Sequence, residues 1–146
     1  MSQRLSIDQL NRLLSDSPDL KTALQQAADE IHNPSPRQLL NELLAASGKE
    51  ISGLAKELSL SRSYVYQIFE GTRRPGREIV LKLAFLFSLS LEDTQHLLRV
   101  LRHGELYARI HRDAVLVFSI GHQLSLAQAD DLLRSEGHAP LNQSDE

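Results

Sequence analysis

Ser52-Gly-Leu-Ala-Lys-Glu-Leu-Ser-Leu-Ser-Arg-Ser-Tyr-Val-Tyr-Gln-Ile-Phe-Glu-Gly-Thr-Arg-Arg-Pro75 is the stretch that decides the fold. Apolar residues fall at Leu54, Ala55, Leu58, Leu60, Val65 and Ile68. That spacing predicts two short helices, over 51–58 and 62–70, each burying one side, joined by a tight turn. Gly71 stops the second helix and Thr72-Arg-Arg-Pro75 follows as a basic loop. The second helix is left projecting, with polar residues at its start.

Outward from this pair the chain punctuates itself with helix starts. Ser6 has Gln9 three residues on, Ser35 has Gln38, Ser90 has Asp93 and Ser125 has Gln128. Ser17-Pro18 and Ser35-Pro36 each set a cap residue before a proline at the first helical position. Gly48, Gly71, Gly104 and Gly137 stand where helices should stop. Between these marks apolar residues recur at three and four, with no sustained alternation of period two. The run Ala114-Val-Leu-Val-Phe-Ser-Ile120 has strand-like composition but stands alone, so it is read as a buried helix.

The expected elements are helices near 7–15, 18–32, 36–47, 51–58, 62–70, 77–88, 91–103, 107–123 and 126–136. The fold class is all-α. Asn33-Pro34-Ser35-Pro36 marks the clearest boundary. It divides an N-terminal helical arm (1–34) from a central domain (35–103), a C-terminal helical extension (104–140) and a loose tail (141–146). The chain shows no repeat and no low-complexity tract.

A length of 146 residues suits one core domain with appendages, and a hydrophobic content of 41% suffices for its core. There is no cysteine, which excludes disulfides and thiolate chemistry and fits a reducing cytoplasm. The start, Met1-Ser-Gln-Arg-Leu5, has no long apolar run, so no signal peptide is expected. No stretch approaches the ~20 apolar residues of a membrane span, and no membrane association is expected. The net charge is −3, yet its distribution is uneven: −2 over residues 1–34, +3 over 35–90 and −4 over 91–146. Positive charge therefore gathers on the segment holding the helix pair, where contact with phosphates needs it.

Residues 36–102 resemble the Cro and lambda-repressor-like (XRE-type) DNA-binding domain, a bundle of four or five helices. The resemblance rests on Leu54-Ala55, Leu58-Ser59-Leu60-Ser61, Ser61-Arg-Ser-Tyr-Val-Tyr-Gln-Ile68 and Gly71-Thr-Arg-Arg-Pro75. Residues 106–141 are more weakly similar to the C-terminal region of some XRE-type regulators, and the first 33 residues resemble nothing recognised. Three positions depart from the pattern. Ser59 holds the turn position often given to glycine, where a positive φ is expected. Ile51 replaces a bracing glutamine, and Phe69-Glu70 replaces Glu-Asn.

The resemblance implies a sequence-specific regulator of double-stranded DNA, from a bacterium or phage. It would be a repressor more readily than an activator, binding an inverted repeat as a homodimer. Arg62, Ser63 and Gln67 are expected to read base edges, since arginine can hold guanine and glutamine adenine with paired hydrogen bonds. Lys56, Ser61, Tyr64, Tyr66, Thr72, Arg73 and Arg74 are expected at phosphates, which position the protein without reading sequence. Val65 and Ile68 lock the helix to Leu54, Ala55 and Leu58. Phe69 is expected to be partly buried. A dimer or partner surface is expected from Val115, Val117, Phe118, Leu126 and Leu132; the competing reading packs this run on helix 91–103 as extended core. The N-terminal or C-terminal helices could also take a protein partner.

The alternative function is a protein-interaction module, an antitoxin or adaptor that kept the fold. No catalytic constellation, phosphate-binding glycine loop or nucleophile elbow is present, so no enzyme is expected. No cofactor is expected either. His96 and His103 share a helix face without a third ligand at a metal-binding spacing, so no metal site is expected. Asp130-Asp131 is explained by a helix dipole.

Overall fold

The computed structural model of the chain describes residues 5–31 and 34–142, and these are all-α, with no strand among them. The helices are α1 (Ile7–Asp16), α2 (Leu20–Gln26), α3 (Pro36–Ser47), α4 (Ile51–Leu58), α5 (Arg62–Glu70), α6 (Arg77–Leu86), α7 (Leu91–Val100), α8 (His111–Gly121) and α9 (Leu126–Ser135). The chain divides into two compact units, Met1–Asn33 and Pro34–Glu146.

The first unit holds α1 and α2. Ser6 and Gln9 form the expected capping box, at 3.1 and 2.8 Å. The second helix is shorter than the expected 18–32 and starts differently. Ser17 ends α1, its hydroxyl donating to the Leu13 carbonyl, and Asp19 caps α2 by accepting the Thr22 N–H at 2.8 Å. A carboxylate at that cap serves the helix dipole better than the Ser-Pro pair could. Ile7, Leu14, Leu20, Leu24 and Ile31 are exposed. His32, the last residue of the expected helix, and Asn33 lie outside the described residues.

The second unit is built around α6, in which Val80, Leu81, Lys82, Leu83, Ala84 and Phe85 are all buried. Helix α6 packs on α4, α7 and α9, while α3 covers α5 and α7 meets α8. Leu54, Leu58, Leu97, Leu98, Leu116 and Leu133 are fully buried in the same core. Each such leucine stabilises the fold by roughly 1.5–3 kcal/mol. The run at Ala114–Ile120 is helical, and Leu116 and Ile120 enter this core.

A repeated corner organises the unit, contrary to the expectation of no repeat. Helices α4, α6 and α8 each end with a left-handed residue: Ser59 (φ 58°), Ser88 (φ 53°) and Gln123 (φ 53°). A leucine follows each, and its N–H reaches back five residues. Leu60 donates to Ala55 at 2.9 Å, Leu89 to Ala84 at 2.9 Å and Leu124 to Ser119 at 3.0 Å. This is the Schellman closure, which satisfies orphan carbonyls at a helix end. A serine then caps the next helix each time: Ser61 accepts from Tyr64, Ser90 from Asp93 and Ser125 from Gln128, all at 3.1 Å. Ser-Leu-Ser at 59–61 and 88–90, and Gln-Leu-Ser at 123–125, are the same device.

Left-handed residues and one turn explain three shifted boundaries. Helix α7 ends at Val100 because Arg102, not Gly104, takes the left-handed position (φ 63°). Helix α6 ends at Leu86, ahead of Ser88. Helix α8 starts at His111 rather than 107, since residues 107–110 form a turn closed by Ile110 N–H on the Tyr107 carbonyl. The first residues of the supposedly loose tail are tied down. Leu141 is buried, and the buried Asp130 carboxylate accepts the N–H groups of Leu141 at 2.7 Å and Asn142 at 3.2 Å. Asp130 therefore holds the chain end, a role beyond any dipole. Residues 143–146 lie outside the described residues.

Candidate nucleic-acid interface

Helix α5 buries Val65, Ile68 and Phe69 against the core and turns its other side outward. Phe69 is fully buried, deeper than expected, because its side chain joins the leucines of α3 and α4 in the core. Ser61, Arg62, Ser63, Tyr66 and Glu70 are exposed, while Tyr64 and Gln67 are half-buried. The first turn is pinned by Ser61 Oγ, which accepts the Tyr64 N–H at 3.1 Å. That leaves the remaining free N–H groups of the helix start facing water beside Arg62 and Ser63.

The last turn is closed as firmly. The Gln67 carbonyl accepts from the N–H groups of Thr72 (3.0 Å) and Arg73 (3.2 Å) and from the Thr72 hydroxyl (3.2 Å). Asn41 of α3 donates to the Phe69 carbonyl at 2.8 Å and to the Arg37 carbonyl at 2.7 Å. Gly71, at φ 85°, lies against Arg37: an added Cβ would sit 3.3 Å from the Arg37 Cβ. Asn41 and Arg37 brace the outward helix without any signal in the motif itself, since they lie thirty residues upstream in a helix whose pattern reads only as amphipathic.

The structure distributes the basic residues unequally. Arg73 lies over the Tyr64 ring, 4.7 Å from its centroid, which holds both side chains beside the first turn of α5. Arg62 and Lys56 are exposed and make no ion pair among the described residues. Arg74, expected at a phosphate, is turned to another task. Its Nε donates to the Leu101 carbonyl at 2.7 Å, and its Nη2 serves the Arg102 carbonyl and His103 Nδ1. A guanidinium is drawn there because the end of α7 presents orphan carbonyls and a negative dipole end. His103 completes the clasp with Nε2 2.8 Å from the Pro75 carbonyl. A carbonyl only accepts, so Nε2 carries the proton and Nδ1 is left to accept from Arg74.

Ser59 is left-handed, as the turn requires. Ile51 packs half-buried against the core, so it cannot act as a polar brace. Glu70 is exposed and makes no pair with Arg73, whose guanidinium is on Tyr64.

On α8 and α9, the five residues expected on a dimer surface divide. Val117 and Leu126 pack half-buried on the core. Phe118 (51% exposed), Val115 and Leu132 line an open apolar groove of about 300 Å³ together with His111, Ala114, Ser135 and Glu136. The rings of His122 and Phe118 stack at 3.9 Å beside it.

No group of three or more histidine, aspartate or glutamate side chains is placed to hold a metal among the described residues. No helix among them is long and apolar enough to cross a membrane. A helix-turn-helix family model matches residues 40–93, which span most of α3 through the first turn of α7. No curated protein and no solved structure gives a match to the chain. The outward α5, its capped start, the left-handed corner before it and the family match over the same residues agree: residues 40–93 are an XRE-type helix-turn-helix domain, and the chain that carries it is a DNA-binding regulator.

Proposed function

We propose that this protein is a cytoplasmic repressor that binds an inverted-repeat operator as a homodimer, with α5 in the major groove of each half-site. The observation that carries the reading is a contrast among the three like-built corners. The helix after the first corner begins Arg62-Ser63-Tyr64, after the second Leu91-Glu92-Asp93, and after the third Leu126-Ala127-Gln128. Only α5 offers an exposed cation at its start, followed by a basic loop. Arg62 and Ser63 reach base edges from the first turn, and Gln67 from the next. Each bidentate pair would supply roughly 1–3 kcal/mol of discrimination. Lys56, Ser61, Tyr64, Tyr66, Thr72 and Arg73 hold phosphates, while Arg74 positions the loop.

One α5 reads one half-site. A second copy joined through Phe118, Val115 and Leu132 would double the contacts and set half-sites about 34–36 Å apart or a multiple of that. Repression then follows from occupying a promoter. Selection of bound duplexes from a random pool tests the reading. An inverted repeat, with Arg62→Ala relaxing preference at one base position per half-site, is the expected result. Recovery of no motif, with only weak salt-sensitive binding, would overturn operator recognition and leave a protein-binding module on this fold.

A further inference from the structure

We infer that the segment from Arg102 to Arg109 is a second duplex-contacting element, which grips phosphates beside those held by the loop between α5 and α6. The inference rests on the DNA-binding reading above and concerns residues outside the matched 40–93. Arg74 of the α5–α6 connection and Arg77 at the start of α6 tie this segment down. Arg74 donates to the carbonyls of Leu101 and Arg102. Arg77 donates to those of Gly104 at 3.0 Å and Glu105 at 3.3 Å. The segment therefore adjoins the basic loop that follows the recognition helix.

Its charge balance favours phosphate. Residues 99–112 contain four arginines and one acid, inside a C-terminal third that is otherwise acidic. The carboxylates around it are already matched: Glu105 by Arg99 at 3.2 Å, Asp113 by Arg77 at 3.1 Å, and Glu78 by both terminal nitrogens of Arg112. Arg102 and Arg109 remain, exposed and without an ion pair or side-chain hydrogen bond among the described residues. Arg102 sits at φ 63°, a position that costs any L side chain energy and that glycine would fill without strain. Nothing in the fold calls for a guanidinium there.

Arg109 stands at the tip of the turn closed by Ile110 and Tyr107, with Tyr107 itself 56% exposed. The turn is preorganised. The Tyr107 N–H donates to Asp113 Oδ2 at 2.9 Å, the oxygen that also takes Arg77. Binding would thus order little new backbone. The segment presents cations from a turn and no helix to a groove, so it would hold the backbone and read no bases.

The test uses the full chain, its selected duplex and a scrambled duplex of equal length, titrated across salt. Arg102→Gly with Arg109→Ala is the chosen variant, because glycine relieves the left-handed backbone and the fold survives. The slope of log affinity against log salt should shrink by about 1.8 for each bound protomer, at ~0.9 per lost phosphate contact, and so by about 3.6 for a homodimer on two half-sites. Base preference should stay unchanged, and both duplexes should be weakened alike. Arg109→Lys alone should keep the wild-type slope. An unchanged slope in the double variant, beside a reduced slope in Arg73→Ala, would overturn this element and leave the reading of α5 intact. Absence of salt-dependent duplex binding by the wild type would overturn both.

Discussion

Replacing the left-handed residue of each corner with glycine should stabilise the protein. Ser59, Ser88 and Gln123 sit at φ 58°, 53° and 53°, where the Cβ crowds the following carbonyl. That crowding costs roughly 1–2 kcal/mol for an L residue. Glycine removes it but gives back about 0.5–1 kcal/mol through its freer unfolded chain. The net gain is about 0.5–1 kcal/mol per site. Among the described residues, none of the three side chains makes a hydrogen bond that the change would cost. Ser88 and Gln123 line the same small cavity of about 110 Å³, so their effects are coupled, whereas Ser59 is absent from its lining and should add to either. Ser59→Gly with Ser88→Gly should raise stability by about 1–2 kcal/mol, or ~3–10 °C in Tm for a unit of this size. Thermal unfolding followed by circular dichroism measures it. The control is Ser52→Gly in the first turn of α4, where glycine only loosens a helix and should cost about 0.5 kcal/mol. If the three corner variants lose stability along with the control, the corners are not left-handed in the folded protein.

Asp130→Ala leaves the buried N–H of Leu141 without its acceptor, a loss of about 2–3 kcal/mol in urea unfolding and earlier proteolysis of the chain end. An equally stable variant would show that the tail is not anchored. Phe118→Ser should turn a dimer into a monomer by light scattering while moving the unfolding midpoint little, since half the ring already faces water; an unchanged mass would remove the groove from the dimer interface. The Thr22 N–H, and then its hydroxyl, hold the Asp19 carboxylate below the ordinary value of a free aspartate. Because the folded value is the lower one, the cap of α2 is fully present above about pH 4 and is lost as pH falls through the lowered value. A carboxyl titration followed by NMR should find the Asp19 midpoint below 3.8, and a midpoint at or above 3.8 would refute the cap.

At α3, α4 and α5 the structure follows the sequence signals to the residue, whereas the cap at Ser17-Pro18 and the stop at Gly104 give way to Asp19 and Arg102. Ser35-Pro36 starts α3, and the apolar spacing with Gly71 bounds α4 and α5 at 51–58 and 62–70. Those signals are local: a cap, a proline, a glycine. The ends of α6, α7 and α8 were not legible because serine, arginine and glutamine take a conformation that sequence reading assigns to glycine. The repetition of the corner is hidden for the same reason, since Ser-Leu-Ser carries no turn residue of the usual kind. The roles of Arg74 and Asp130 are not legible because their partners lie across the fold: the carbonyls of Leu101 and Arg102 for the first, and the N–H groups of Leu141 and Asn142 for the second. No spacing rule links a basic loop to a helix end about 27 residues on, so nothing in the sequence sets Arg74 apart from the phosphate role that the resemblance implies.

The repeated corner also separates what the fold does from what the side chains do. Three helices leave three corners with matching left-handed residues, matching backward hydrogen bonds and matching serine caps. The backbone presents α5, α7 and α9 in the same way. A phosphate oxygen approaching the start of any of them would meet free N–H groups and the positive end of a dipole. At α7 it would also meet Glu92 and Asp93, and at α9 a first turn of Leu126, Ala127 and Gln128 with no cation. At α5 it meets Arg62, with Arg73 held on Tyr64 beside it. The dipole term is common to all three and is worth at most ~1 kcal/mol at an exposed end, so it cannot choose among them. The choice falls to the side chains of one helical turn, where two acids repel what one arginine attracts. The three corners thus share one backbone device and differ in the side chains of a single helical turn.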